Sequence, residues 1–474
     1  MSSIDGFPRD LVVVGHGMVA HRFVELLRAR DTAGTWRVTV LGEEPHAAYD
    51  RVGLTGYTEH WDRAPMALPG NAYPGDDRVR LLLGSPVTEI DRAAKTVGTA
   101  AGDRIGYHAL VLATGSRAFV PPVPGRDLPG CHVYRTLDDL DAIRGSALAA
   151  GRSRAGVVIG GGLLGLEAAN ALRGLGLRPH VIEQAPRLMA QQLDQGGGAL
   201  LVRLITEIGI DVRVDTGTVA IEAHPDGTGT LRVRLTDDTV IDAGVVIFAA
   251  GIRPRDELAA AAGLRLADRG GVFTDSSCVT SDPAIYAIGE VAAVEGRCYG
   301  LVAPGYATAE VVADRLLGGP TQFPGADTAT KLKLLGVDVA SFGDALAAGP
   351  DCLEVIVNDA VARTYAKLVL SDDAKTLLGG VLVGDTSSYG VLRPMVGAQL
   401  PGDPMAFIGP AQSVGGAPVL GVAALPESAQ ICSCNNVTKG EITAAIADGC
   451  TDVPALKACT KAGTACGSCV PLLK

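Results

Sequence analysis

Cysteine is absent from the first 130 residues of this chain. That stretch therefore holds no dithiol, no thiol nucleophile and no thiolate metal site. Aromatic residues make up only 4% of the sequence, against 61 glycines, which favours α/β layers packed closely through small side chains. Clusters of lysine and arginine are missing and the formal net charge is −11, so neither nucleic acid nor an anionic membrane is an expected partner. The opening MSSIDGFPRD has no basic stretch leading into an apolar run; no secretory signal is visible, and a cytoplasmic location is expected. One stretch, 404–426, lacks charge altogether. Pro404, Pro410, Pro418 and Pro426 would break a membrane helix there, and it reads as a linker.

What is present is concentrated at the end. Of ten cysteines, six fall in the last forty-three residues. Cys432-Ser-Cys434 and, thirty-one residues on, Cys466-Gly-Ser-Cys469 place four thiolates on two short loops. Such a quartet suits an iron–sulfur cluster or a tetrahedral zinc. Disulfide frameworks belong to short secreted chains, so metal is the expected reading here. Cys450 and Cys459 are extra and read as small buried residues, with Cys459 the alternate ligand because it lies seven positions before Cys466.

The 474 residues exceed what one core holds, and roughly two to four domains are expected. Leu11-Val-Val-Val14 is a buried parallel strand that runs into Gly15-His-Gly17-Met18-Val19-Ala20, with a helix over Met18 to Arg30 and a second strand over Trp36 to Leu41. This is a G-x-G-x-x-A dinucleotide fingerprint: the first glycine makes the tight turn, the second lets a pyrophosphate approach the backbone, and the helix N-terminus stabilises its charge. Glu43 and Glu44 end the second strand, where a carboxylate accepts hydrogen bonds from ribose hydroxyls. About 145 residues later the unit recurs: strand Val157 to Ile159, fingerprint Gly160-Gly-Gly162-Leu163-Leu164-Gly165, helix Leu163 to Leu175 and strand Pro179 to Ile182. Glu183 follows, and an acid there favours the free 2′-hydroxyl of NADH over the 2′-phosphate of NADPH, though Arg178 and Arg187 keep NADPH open.

Two further turns end apolar strands where the chain crosses between nucleotide domains: Ala113-Thr114-Gly115-Ser116 and Ala250-Gly251-Ile252-Arg253-Pro254. Val245 to Ala250 is expected to close the second nucleotide domain, and Ala284 to Ile288, followed by Gly289-Glu290, to return the chain to the first. Alternating apolar runs between about 322 and 400, Cys352 to Val357, Tyr365 to Leu370 and Leu377 to Val383, predict a small mixed sheet. In the tail, Thr438 and Glu441 form a capping box before a helix reaching Asp448.

These pieces resemble the pyridine nucleotide–disulfide oxidoreductase superfamily. The resemblance implies that the first fingerprint holds FAD and the second NAD(P)H. It implies that Gly289 and Glu290 contact the flavin ribityl chain or pyrophosphate, with Glu where the family has Asp, and that Glu167 lies by the nicotinamide. The dithiol that disulfide reductases carry early in the FAD domain is replaced by Ala48-Tyr49-Asp50-Arg51-Val52, so electrons are not expected to leave through a thiol there; Arg51 and Tyr49 are expected to seat the flavin. The tail resembles the bacterioferritin-associated ferredoxin-like module, which implies a 2Fe–2S cluster on Cys432, Cys434, Cys466 and Cys469.

A closer resemblance rests on Ala48–Val52, Gly160–Glu167, Gly251–Arg255, Gly300–Tyr306, Lys331–Val339 and Gln430–Gly440. It is to the large subunit of NADH-dependent assimilatory nitrite reductase and to electron-transfer subunits of assimilatory nitrate reductase. It brings Pro304 into the cofactor contacts. The implied fold class is α/β: an FAD domain (1–118 and 251–320) with an NAD(H) domain inserted (119–250), a small α+β domain (321–400), a linker (401–427) and a small helical 2Fe–2S domain (428–474). The implied wire runs from NADH to FAD to 2Fe–2S. This sequence has no second cysteine group for a 4Fe–4S cluster, so the acceptor is expected to be a sirohaem/4Fe–4S nitrite reductase module or a nitrate reductase subunit outside this chain. A reductase for a separate rubredoxin- or ferredoxin-type carrier is the alternative. The resemblance admits a homodimer.

Overall fold

The computed structural model describes residues 8–151, 154–225, 229–334, 336–409, 422, 425–432, 435–464 and 469–473. The chain divides into two compact units, one holding the residues up to Arg117 together with Ile252–Ala326, the other Ala118–Gly251 together with Asp327 onward.

In the first unit a five-stranded parallel sheet runs in the order Ile285–Ala287, Ala109–Leu112, Arg9–Val14, Trp36–Leu41, Val79–Leu82. Arg9–Val14 lies at its centre, and Leu11 to Val14 are buried, as a strand covered on both faces requires. The helices Met18–Arg30 and Val302–Leu316 pack on each other: Gly305 sits against Val19, where a Cβ would meet the valine methyl at 2.6 Å. A three-stranded antiparallel sheet, Val87–Asp91, Thr96–Thr99 and Arg104–Gly106, joins this unit and was not anticipated from the sequence.

The second unit repeats the βαβ arrangement. Its sheet runs Asp211–Arg213, Arg178–Ile182, Ala155–Ile159, Val240–Phe248, Leu231–Leu235, Thr218–Ala223, parallel up to Val240–Phe248 and antiparallel beyond. Val240–Phe248 is central in the sheet, paired with Ala155–Ile159, and is the last strand before the chain leaves this unit at Gly251. The region after Asp327 is antiparallel throughout, not mixed: Thr330–Leu334, Val337–Gly343, Leu377–Val383, Thr364–Leu370, Leu353–Asp359 in that order. Short turns make the three pairs of consecutive strands antiparallel, since parallel pairing needs a long crossover; Val337–Gly343 and Leu377–Val383, which are not consecutive, are antiparallel too.

The helix Gln195–Glu207 packs on this sheet through a buried charge cluster. The side chain of Lys367 is 2% exposed and lies 3.0 Å from Asp194 and 2.8 Å from Glu354. Tyr365 donates its hydroxyl to Asp194 at 2.7 Å, and Asp194 also caps the helix by accepting from the Gly197 N–H. Burial alone would raise the Asp194 carboxyl, but bonds from Tyr365, Gly197 and Lys367 outweigh it and lower it. Lys367→Met is expected to weaken this packing by about 1–3 kcal/mol, less than for a fully buried pair because Asp194 and Glu354 are partly exposed. Hydrogen exchange reads it as lost protection in Gln195–Glu207 and Thr364–Leu370; unchanged protection would show the lysine carries no stability.

The tail has its own core, built from Leu425, Ile431, Cys432, Val437, Ile442, Leu456 and Cys469. A strand pair, Gln430–Cys432 with Val437–Thr438, precedes the helices Lys439–Ala447 and Val453–Thr460. The capping box is present: the Glu441 N–H donates to the Thr438 hydroxyl, and the Thr438 N–H donates to the Glu441 carboxylate. Cys450 and Cys459 are joined in a disulfide and Cys459 is exposed, which corrects the reading of both as small buried residues and of Cys459 as an alternate ligand. Cys450 follows the first of these helices and Cys459 lies in the second, so the turn between the helices brings the two together. Val391 and Met395 pack against the tail core, and Leu472 lies on Gly390. The expected linker begins with a helical turn, Met405–Ile408; 410–421 and 423–424 lie outside the described residues.

Candidate functional sites

Both fingerprints are built the same way. Gly15 has φ +106° and Gly160 φ +118°; a Cβ at either would overlap a carbonyl oxygen, that of Ala113 or of Ala249. In each case the carbonyl belongs to the neighbouring parallel strand's end, so the first glycine is required by close packing as well as by backbone angle. The second glycines are different. A Cβ at Gly17 or Gly162 meets nothing within 4 Å, which leaves room directly in front of each helix. At Gly165 a Cβ would overlap the Gly160 carbonyl oxygen, whereas the equivalent Ala20 carries one in the first fingerprint.

The helix ends fit anions. The helices Met18–Arg30 and Leu163–Gly174 have neither a side-chain cap nor an acid in the first turn. Thr136, Asp194, Thr438 and Asp452 cap four other helices with their own oxygens. Uncapped N–H groups beside an open glycine suit a pyrophosphate. Met18, Val19, Leu163 and Leu164 form those first turns. Val302–Leu316 also begins without a side-chain cap, with Pro304 buried in its first turn. Glu167 is half-buried in the second turn of its helix.

The remaining expected flavin residues gather around the first fingerprint. Glu44 pairs with the Arg51 guanidinium and accepts from the Tyr49 hydroxyl at 2.9 Å, while Arg51 stacks over the Tyr49 ring. The Arg51 N–H reaches the Met18 sulfur, which places the Ala48–Val52 segment at the helix start. Glu43 is exposed and paired with Arg255. Arg255 donates its N–H to Gly115 and accepts from the Thr114 hydroxyl, so it binds the turn after Ala113 to the acid after the second strand. Glu290 accepts from the buried Ser116 hydroxyl at 2.7 Å, and the Gly289 N–H donates to Thr308. Ser116 and Arg255 were read from the sequence only as the ends of the Ala113–Ser116 and Gly251–Arg255 stretches; that each pairs with an acid shows only in space.

In the second nucleotide fold Glu183 accepts from the Gly161 N–H at 2.6 Å and the Ala185 N–H at 2.7 Å. The carboxylate is therefore held against its fingerprint. Arg187 is committed to the carbonyls of Leu193 and Ala190. Gly251 has φ +109° and open space before it.

In the tail, Cys432 and Cys469 are buried and hydrogen-bonded to each other. The bond from Cys469, aided by the N–H groups of Gly463 and Asn435, outweighs burial and lowers the Cys432 thiol to about 6. A largely ionised thiolate with N–H donors around its sulfur is what an iron–sulfur ligand requires. Cys434 and Cys466 lie outside the described residues, and among the described residues no group of three or more metal-ligating side chains forms. The residues present fit all three groups: room and free N–H donors for two dinucleotides, and a paired thiolate for a cluster.

Residues 9–313 match the family described as pyridine nucleotide-disulphide oxidoreductase. The chain belongs to that family. Residues 430–474 match the BFD-like [2Fe-2S] binding domain, and 329–399 the rubredoxin NAD+ reductase C-terminal domain. The nitrite reductase (NADH) large subunit of Escherichia coli is 47% identical over 98% of this chain and 54% of its own length. The assimilatory nitrate reductase electron transfer subunit of Bacillus subtilis is 32% identical over 98% of this chain and 59% of its own. A ferredoxin reductase from Rhodopseudomonas palustris superposes with a TM-score of 0.71 at 28% identity, over 80% of this chain and 92% of its own. The chain spans about half the length of the nitrite reductase it matches. The protein is a flavin- and nicotinamide-dependent α/β oxidoreductase that carries FAD and a 2Fe–2S domain. Among the described residues no helix is long and apolar enough to cross a membrane.

Proposed function

We propose that this chain is the NADH-dependent electron-input part of a nitrite- or nitrate-assimilating system. The observation that carries the reading is the union, in one chain, of two open dinucleotide cradles and a buried cysteine pair with a lowered thiol. When bound, the flavin converts a two-electron hydride donor into a source of single electrons, and the iron–sulfur centre conducts them onward.

The chain's own residues bind and orient. Gly15, Gly17, Met18, Val19 and Ala20 cradle the FAD pyrophosphate, with Glu43 and Glu44 on the adenosine side. Arg51, Ala113, Thr114, Gly115, Gly289, Glu290 and Pro304 line the flavin half. Gly160, Gly162, Leu163, Leu164, Gly165 and Gly251 receive the nicotinamide dinucleotide, with Glu167 at the nicotinamide end. No general base is required for hydride transfer; orientation carries the rate. Cys432, Cys434, Cys466 and Cys469 hold the cluster. The electrons leave to a sirohaem/4Fe–4S module or a nitrate reductase subunit.

Glu183 supports NADH over NADPH, because its carboxylate is already held by two N–H groups where a ribose hydroxyl would donate. Glu183→Ser is expected to raise KM for NADH roughly 10- to 100-fold, the loss of one charge-assisted hydrogen bond, and to narrow the gap to NADPH. Equal KM values in the variant and the natural protein would remove Glu183 from the specificity argument.

The test of the whole reading is an anaerobic NADH titration followed by absorbance and low-temperature EPR, then addition of a sirohaem nitrite-reducing module. Flavin bleaching, a reduced 2Fe–2S signal and nitrite-dependent reoxidation are expected. The match of 329–399 to the rubredoxin NAD+ reductase C-terminal domain favours a second reading, reduction of a separate small carrier. Fast reoxidation by rubredoxin or ferredoxin, with none by the nitrite-reducing module, would establish that instead.

A further inference from the structure

The disulfide between Cys450 and Cys459 belongs neither to the nucleotide folds nor to the cysteine quartet. Its two sulfurs stand in different surroundings. Cys450 is buried in the tail core together with Cys432 and Cys469, whereas Cys459 is exposed on the second tail helix. Exposed disulfides are the labile ones, open to attack by a thiolate.

The tail helices are set without this bond. Lys439–Ala447 starts at its capping box, and Val453–Thr460 starts at Asp452, which accepts from the Ala455 N–H at 2.7 Å. Ile442 and Leu456 are buried in the shared core. Closing a loop over nine positions adds only about 3 kcal/mol. What the bond does hold is the end of the second helix. Two positions past Cys459, the Lys461 carbonyl accepts from the Asn435 side chain at 2.8 Å and from the Thr464 hydroxyl at 2.7 Å. The Gly463 N–H donates to the Cys432 sulfur, and the Asn435 amide approaches that sulfur at 3.9 Å. The other end of the tether is fixed, since the Cys450 N–H donates to the Ala445 carbonyl at 3.0 Å. The disulfide therefore ties the segment that carries the cluster's hydrogen-bond donors to the first helix. Without it a helix terminus frays, and the donors leave the sulfur.

We propose that Cys450–Cys459 is a thiol-exchange site for a small thiol or protein dithiol, and that its opening makes the cluster harder to reduce. The proposal rests on the cluster occupying the tail. The incoming thiolate bonds to the exposed Cys459 sulfur, the S–S bond breaks, and Cys450 leaves as a thiolate that takes up a proton. A second thiolate of the reductant then attacks its own sulfur in the mixed disulfide and releases Cys459, which is protonated in turn. The pair gains two electrons and two protons, and the reductant becomes a disulfide. N–H donors to sulfur favour the reduced cluster, so loosening them disfavours it.

The test uses the full chain with its cofactors, held in glutathione at a reduced-to-oxidised ratio of about 100 to 1, where a structural disulfide stays shut. Free thiols are then capped and the peptide holding both cysteines is weighed. More than half of the bond is expected to open. The cluster's reduction equilibrium, followed by EPR, is expected to move about 3- to 10-fold against reduction in Cys459→Ser, the worth of one weakened hydrogen bond. The closed state of the natural protein is checked by mass after the titration. Amide exchange at 460–464 should quicken in the variant and in natural protein opened by glutathione, with or without the cluster. A bond that stays shut overturns the proposal, and so does one that opens while the equilibrium and the exchange stay where they were. If neither form gives an EPR signal, the cluster reading fails, and unchanged exchange in the cluster-free protein would overturn the proposal by itself. The glutathione-opened natural protein supplies the same readouts if Cys459→Ser does not fold.

Discussion

Cys469→Ser is expected to abolish the low-temperature EPR signal of the reduced cluster while NADH still bleaches the flavin. Iron content is expected to fall at least about 10-fold, since even residues that only support a metal ligand cost 10–100-fold in affinity. Cys469 is buried beside Cys432 and its hydrogen bond is the largest cause of the lowered Cys432 thiol. Serine supplies a hard, weakly acidic oxygen in place of a soft thiolate. Reduction of any one-electron acceptor should fall with the iron. Asn435 gives a graded companion: its side-chain amide approaches the Cys432 sulfur at 3.9 Å and is fixed by the Lys461 carbonyl at 2.8 Å. Asn435→Ala is expected to keep the iron and shift the cluster potential downward, because N–H donors to sulfur stabilise the reduced state. An undiminished EPR signal in Cys469→Ser would mean the ligands lie elsewhere.

Gly15→Val and Gly17→Ala separate folding from cofactor binding. At Gly15 a side chain would overlap the Ala113 carbonyl and require φ near +106°, so Gly15→Val is expected to lose about 2–5 kcal/mol from strain and overpacking together. The protein should purify without flavin and unfold at lower temperature. At Gly17 an added methyl meets nothing in the protein. Gly17→Ala should therefore keep the thermal midpoint of the flavin-free protein and still lose FAD, because the methyl fills the space reserved for the pyrophosphate. Full flavin occupancy in Gly17→Ala would show that the open space in front of that helix is not where FAD binds.

Local rules made much of this protein legible from its residues. The strand–glycine–helix order at Gly15 and Gly160 is specified within thirty residues each, and the helix Met18–Arg30 and strand Trp36–Leu41 formed over the ranges their patterns indicate. The Thr438–Glu441 capping box needs only a three-residue spacing, and it formed. Less legible was the sheet after Asp327. Its first two strands, Thr330–Leu334 and Val337–Gly343, were missed, and the alternation in the later three carried no information on direction, which came from the short connections between neighbours.

The sequence by itself determined the two nucleotide folds and the cysteine-bearing tail, because turn geometry, helix entry and metal-ligand spacing are all short-range. Tertiary structure alone decided the pairs that act at a distance. Glu43 meets Arg255, Glu290 meets Ser116 and Lys367 meets Asp194. Side-chain partners far apart in sequence leave no periodic trace along the chain; they exist only once the layers have packed.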